Sequence, residues 1–436
     1  METLKNKKIV IITGLPFRKQ GNQSLLRFVN MFLDRKIGVT MFSAGFDSNG
    51  EHVISNPLLS VKRIRSLEIT LTIFLNRKLS KKKIEDEKKE NIFEKIKSET
   101  ILPPYGKYNF FTLLNKWLKW FLVVLDNILL FFLLNIKFSK IVKEADIIVG
   151  YEDNFTLCAK WISSLWRKKY INKFQGTILK ATNRDKSLAI KYFPHNYFSL
   201  NKSDLCLMVN DGTEGDYYAK QRGCKKIFFE PHGVLQYKHK EEEFEMLKAL
   251  KTLGKFVLFN NSSGSTWKRP DRIIRALLKV DKNVLKNISL ITTYYGPDRE
   301  ELIEYTKLKG LEKDVIFVEK LDNVQCNFIL QNSDVVIMTN DISNLGNPVL
   351  EAIFYKIPVI SINDGSLDGF VTDKRDSLLV DLDVNFDENI ANAIEKLYKD
   401  KGYYQKLKRN MNKSNQVREL SVQQAREFNC IKNLFV

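Results

Sequence analysis

Near its start the chain reads Lys8-Ile9-Val10-Ile11-Ile12-Thr13-Gly14, then a loop with Arg18, Lys19 and Gly21, an apolar-periodic stretch from Ser24 to Asp34, and Gly38-Val39-Thr40-Met41-Phe42. An apolar run without alternation is a strand buried on both faces, and a helix between two such runs forces a crossover that leaves them parallel. This unit confines the opening of the chain to an open, helix-covered parallel sheet. Similar runs recur at Ala145–Gly150, Leu205–Val209, Phe256–Phe259, Ile288–Thr292, Val315–Val318, Val335–Met338 and Val359–Ile362. Gly14 and Gly21 stand too far apart for Gly-x-Gly-x-x-Gly, which disfavours a nicotinamide enzyme.

At 436 residues the chain accommodates two domains of roughly 200 residues each. Five scattered cysteines without a Cys-x-x-Cys pair fit a reducing cytosol. Met1–Lys8 is polar and basic and leads straight into a strand, so no signal-peptide hydrophobic region is expected. From Met1 to Leu235 there are 40 Lys and Arg against 22 Asp and Glu, or +18; from Gln236 to Val436 the counts are 30 and 29, or +1. A field concentrated in one half attracts nucleic acid, anionic lipid or a phosphate-bearing acceptor. The aromatic residues of that half fall in apolar runs and are not interleaved with its lysines, so the reading is no nucleic acid.

Residues 62–97, with Lys81-Lys82-Lys83 and Lys88-Lys89, read as an exposed, partly helical basic insertion. Phe110–Phe138 is the most apolar stretch, but Lys116, Lys119, Asp126, Asn127 and Asn135 interrupt it, and polar groups are costly in hydrocarbon. Two readings remain in place of a span. One is a helix in the membrane interface, with Trp117 and Trp120 near the headgroups and lysines on anionic lipid; the other is a core helix of the first domain.

The chemistry concentrates in Ser343-Asn344-Leu345-Gly346-Asn347-Pro348-Val349-Leu350-Glu351-Ala352. A loop running into Gly-Asn-Pro places backbone amides and a positive helix end where an anion can bind. Glu351 falls one turn in, where a carboxylate can accept hydrogen bonds from sugar hydroxyls. The bland alternative is a proline-started helix with an exposed glutamate.

The segment resembles the nucleotide-sugar site of retaining glycosyltransferases of family 4, and the wording Ser-Asn-Leu-Gly-Asn-Pro-Val-Leu-Glu resembles a branch that lacks the first glutamate of Glu-x7-Glu, here Ser343. The resemblance implies a GT-B fold: α/β, with two Rossmann-like domains whose parallel sheets face each other across a cleft. It implies domains at 1–235, carrying the insertion and apolar segment at about 62–138, and at 254–414, with a linker at 236–253 and a closing helix at 415–436 that packs back on the first domain. Lys268 matches the lysine of the family's Arg-x4-Lys, whose arginine position is Ser263; Arg269 is the substitute considered. Donor-binding residues are then Lys268, Arg269, Ser263, Ser343, Asn344, Gly346, Asn347, Glu351 and, in the first glycine loop, Gly21. Asn210-Asp211-Gly212-Thr213 after a Ser-Asp strand matches the same branch and would line the cleft through Asn210, Asp211 and Thr213, although a plain turn explains it equally well. The histidine that faces the sugar in some members is replaced at Tyr151, leaving Asp153 and Glu152 as catalytic candidates at a strand's carboxyl end.

These resemblances imply sugar transfer from a nucleotide-sugar donor, a substrate rather than a cofactor, to a lipid-linked or glycan acceptor of cell-surface polysaccharide or glycolipid synthesis, with retention and without a metal. The four histidines show no ligand spacing, and Asp381-Leu382-Asp383 reads as a turn. The basic first half adds an anionic membrane surface as partner and a cytoplasmic, peripheral location on the inner face of the cell membrane. Competing readings are a sugar-nucleotide epimerase or glycosyl phosphorylase of the same fold, and a noncatalytic membrane-binding protein that kept it.

Overall fold

The computed structural model describes residues 4, 6–17, 23–44, 54–72, 110–237, 245–262, 266–318, 321–411, 413 and 416–435. Gly21, Ser263 and most of the basic insertion lie outside the described residues. Of the described residues, those up to 230 together with 424–435 form one compact unit, and 231–423 form another.

In the first unit the strands are β1 (Lys8–Thr13), β2 (Gly38–Ser43), β3 (Leu59–Arg63), β4 (Ile147–Tyr151), β5 (Lys169–Phe174), β6 (Leu205–Val209) and β7 (Ile227–Glu230), in the order β3-β2-β1-β4-β5-β6-β7. Every pairing is parallel. The second unit has β8 (Phe256–Asn260), β9 (Ile288–Thr292), β10 (Val315–Phe317), β11 (Val335–Met338), β12 (Val359–Ile362) and β13 (Leu378–Val380), in the order β10-β9-β8-β11-β12-β13, again all parallel. Each sheet therefore changes direction once, between β1 and β4 and between β8 and β11, and the carboxyl ends of those neighbours are where open α/β sheets hold ligands.

Both faces of each sheet are covered, as the apolar runs require. Phe28, Phe32, Phe428 and Ile431 pack on one face of the first sheet, so the closing helix Leu420–Lys432 contributes to that unit's core. In the second unit, Leu247 and Leu250 of the helix Glu245–Thr252, within the stretch read as linker, join the core cluster of β8, β11 and β12.

The long helix Phe110–Lys137 is docked on the first unit by its polar residues. The Asp126 carboxylate accepts from Ser66 Oγ at 2.7 Å and from the Leu67 and Glu68 amides at 2.8 and 3.0 Å, closing the start of helical residues 67–72. Asn127 donates to the Val123 and Asn154 carbonyls and accepts from the Cys158 amide. Below them Leu130 and Leu134 join Val10, Ile12 and Phe42 in the core. A buried carboxylate with three donors is satisfied where an isolated one would be prohibitive. The interruptions in the apolar pattern thus face the protein, and the helix is neither wholly core nor free of it.

Candidate functional site

In the first unit the candidate residues gather at the carboxyl ends of β1, β4, β5 and β6. Glu152 leaves β4 with φ of 60°, a left-handed conformation unusual for glutamate. Its amide donates to the Lys173 carbonyl, and its Oε1 accepts from the Gln175 amide at 2.8 Å. Burial, reinforced by the charge of Asp153, raises its pKa to about 8 against the pull of Gln175 and Lys173, so the carboxyl is largely protonated at neutral pH. Asp153 Oδ2 accepts from Asn196 Nδ2 at 2.6 Å, and its carbonyl from Ser199 Oγ.

Across β5, Asp211 Oδ1 accepts from the Thr213 amide and hydroxyl at 3.1 and 2.5 Å, while Thr213 Oγ1 accepts from the Thr177 amide. Gly176, at φ 141°, lies so close that a Cβ there would stand 1.9 Å from Asp211 Oδ2. Burial lifts the Asp211 carboxyl to about 6. Asn210 turns inward on its own loop, accepting from the Gly212 amide. Glu152 and Asp211 accordingly flank the end of β5, one bonded to Gln175 and the other packed on Gly176.

Sequence reasoning missed three residues here. His195 hydrogen-bonds the Asp153 backbone, stacks near Trp120, and leaves Nε2 buried without a partner among the described residues; burial holds its imidazole below the ordinary histidine range. Glu68, 4% exposed, accepts from Asn154 Nδ2 and pairs with Lys119 at 3.2 Å. Asn154 packs against Gly14, where a Cβ would come within 2.8 Å. A histidine 42 positions from its aspartate gives no spacing signal; only the fold joins them.

In the second unit Asn260 ends β8, donating to the Ile337 carbonyl and accepting from Ser262 and Thr292, which fixes the ends of β8, β9 and β11 together. The 3-10 turn Thr266–Lys268 follows. Lys268 Nζ stands 4.1 Å from the Trp267 ring centroid, and burial lowers its pKa to about 8. Arg269 is committed to its own helix Pro270–Leu277: Nε and one terminal nitrogen each bond Asp271 at 2.9 Å, and another reaches Asp341 at 3.4 Å. Arg272 pairs with Asp341 at 2.9 Å and donates to the Thr339 carbonyl. These arginines fasten the loop after β11 to the start of that helix.

That loop delivers the remaining candidates. Asn344 is fully buried: Oδ1 accepts from the Asn340 amide at 2.8 Å, Nδ2 donates to the Asn340 carbonyl and to Asp364, and its own amide donates to Ser366 Oγ. Its side chain is a loop clamp. Ser343 Oγ accepts from the Leu345 amide at 3.3 Å and is partly exposed. Gly346 caps the helix Asn347–Phe354 in extended conformation with no side-chain cap and no acidic residue in the first turn, and its own amide donates to the Asn344 carbonyl at 3.0 Å. Asn347 is exposed, and Glu351 is partly exposed one turn on. Asp381 and Asp383 bond Asn363 Nδ2 and the Asn385 amide, as turn residues do.

Two Rossmann-like units of parallel strands with interleaved helices make this an α/β protein of the GT-B fold. Residues 241–415 match the family model described as Glycosyl transferases group 1. Among curated proteins, a GalNAc-alpha-(1->4)-GalNAc-alpha-(1->3)-diNAcBac-PP-undecaprenol alpha-1,4-N-acetyl-D-galactosaminyltransferase of Campylobacter jejuni is 27% identical over 145 residues, 33% of this chain and 38% of that relative. The match thus spans little more than a third of that relative's length. Among solved structures, Anabaena HepE in complex with UDP superposes with a TM-score of 0.65 at 14% identity over 98% of this chain and 100% of its own. Sucrose-phosphate synthase from Thermosynechococcus elongatus gives 0.63 at 14% over 98% and 99%, and WaaG, a glycosyltransferase involved in lipopolysaccharide biosynthesis, 0.57 at 12% over 96% and 98%. At such identities these structures establish the fold.

Proposed function

We propose that this chain is a glycosyltransferase of the family 4 type, moving a sugar from a nucleotide-sugar donor to a lipid-linked or glycan acceptor at an anionic membrane surface, with retention and without a metal. The observation that carries the reading is the start of the helix Asn347–Phe354, with no side-chain cap and no acidic residue in its first turn, presented by a buried asparagine clamp inside the stretch that matches the glycosyltransferase model. Its relatives support it: the Campylobacter enzyme is a transferase named for a PP-undecaprenol-linked glycan, and HepE was solved with UDP and with UDP and glucose.

In this reading the Asn347 amide at the helix start and the Lys268 ammonium stabilise charge on the departing diphosphate, a role that preorganised donors and helix ends perform without a metal ion, while the Gly346 amide, which donates to the Asn344 carbonyl at 3.0 Å, shapes the turn that presents them. Glu351 accepts hydrogen bonds from the ribose hydroxyls. Arg269 contributes through Asp341, as a brace of the loop. Glu152, protonated at neutral pH, can donate a hydrogen bond, while Asp153 and His195 form a second polar pair at the same strand end. The surrounding process would be cell-surface polysaccharide or glycolipid synthesis, on the inner face of the cell membrane.

Thermal stabilisation of the purified protein by a panel of nucleoside diphosphates and nucleotide sugars tests the reading. A saturable shift for one base, lost in Lys268→Ala and Glu351→Ala, is expected. No shift with any member of the panel would transfer the assignment to a noncatalytic protein of this fold.

A further inference from the structure

The long helix Phe110–Lys137 turns its most apolar side away from the unit it is docked on. Leu114, Leu118, Phe121, Leu129, Phe132 and Ile136, spaced at helical intervals, are exposed, Phe121 by 62% and Ile136 by 79%. At about 1.5 Å per residue the helix is roughly 42 Å long, and by length and composition it is apolar enough to cross a membrane. It cannot be surrounded by lipid while Asp126, Asn127, Leu130 and Leu134 stay packed on the first unit.

Two of the three lysines of this helix are held by the protein, and the third, Lys137, is exposed at its last position. Lys119 pairs with Glu68, and Lys116 Nζ donates to the Tyr192 carbonyl at 3.0 Å above the Phe193 ring. Trp120, expected among headgroups, instead stacks on Phe198 with ring centroids 5.4 Å apart, whereas Trp117 lies on the strip. Two occupants could cover such a face. A second copy would bring together two halves that each carry +18, whereas an anionic bilayer is complementary to that charge.

We infer that the helix Phe110–Lys137 lies in the plane of an anionic bilayer, with the Leu114–Ile136 strip sunk at the boundary of headgroups and acyl chains. The inference rests on the membrane-surface reading above and specifies its contact. The basic charge of the first half selects the surface, while the uncharged strip holds it, so attachment survives salt that screens charge.

Co-sedimentation of the full chain with phosphatidylcholine–phosphatidylglycerol vesicles, at low salt and at about 0.5 M salt where the Debye length is roughly 4 Å, tests this. The wild type is expected to stay bound at high salt, and the double variant Phe121→Ser, Phe132→Ser to bind about tenfold or more weakly with unchanged circular dichroism, both sites being exposed. Trp117 emission should shift to the blue on vesicles, and Trp117→Phe should remove the shift. Binding abolished by salt, or unaltered in the double variant, overturns the inference while leaving the membrane reading in place. No vesicle binding by the wild type overturns both. Lipid-free dimerisation that the double variant abolishes would assign the strip to a second copy instead.

Discussion

Asn344 grips Asn340 from both sides of its backbone, accepting from the Asn340 amide at 2.8 Å and donating to the Asn340 carbonyl at 3.3 Å. The pair closes the loop that leads from β11 to the helix Asn347–Phe354, and Asp364 supplies a third bond. Replacing Asn344 by alanine strands the Asn340 amide in a buried setting, with an expected loss of about 2–4 kcal/mol. Urea unfolding measures it. Loss of donor binding with stability unchanged would instead make Asn344 a direct ligand.

Lys268 gives a pair of opposite pH effects. Its pKa is lowered to about 8 from 10.5 by burial, so between those values the unfolded chain holds a proton that the folded one has released, and stability of the unliganded protein should rise with pH across that window. Diphosphate affinity should fall over the same range, as the ammonium that would meet the anion disappears. Lys268→Met should flatten both profiles, read by thermal melts with and without nucleoside diphosphate.

For Glu152 the sign reverses. Its carboxyl titrates at about 8 in place of 4.5, so from about 4.5 to 8 the folded state binds the extra proton, and stability should decline as pH rises through that interval. Glu152→Gln, which keeps the hydrogen-bonding shape without the charge, should remove the decline. A variant whose melting temperature still follows the wild-type slope would show that another group carries it.

Gly176 should tolerate no side chain. An alanine Cβ would collide with the Asp211 carboxylate in a backbone conformation at φ 141°, and we expect Gly176→Ala to cost upwards of about 2 kcal/mol. Adding Asp211→Gly in the same chain should recover part of that cost, since the clash is removed and the strain remains. A calorimetric series of the two single variants and the double variant resolves the two contributions.

Much of this architecture was legible. Runs such as Ile9–Ile12 and Val335–Met338 are apolar without alternation because strands covered on both faces have no polar side, and the proline after Gly346 and Asn347 announced the start of the helix that follows. Other features were illegible because contact across the sequence decides them. The Arg269 guanidinium, free to serve an anion as far as sequence shows, is taken by Asp271 two residues on, once the helix Pro270–Leu277 fixes both. His195 meets Asp153 only because the fold brings residues 194–199 beside the end of β4.

The sequence by itself determined that the chain forms two parallel-sheet units and where a helix start could take an anion, since local periodicity and turn chemistry depend on neighbours a few residues apart. Tertiary structure alone decided which way the long apolar helix faces. The sequence marks its polar positions without saying whether they meet water, headgroups or the protein; the choice fell to Asp126 and Asn127, whose hydrogen bonds to Ser66, Leu67, Glu68, Asn154 and Cys158 turn the polar side inward and leave the apolar side out.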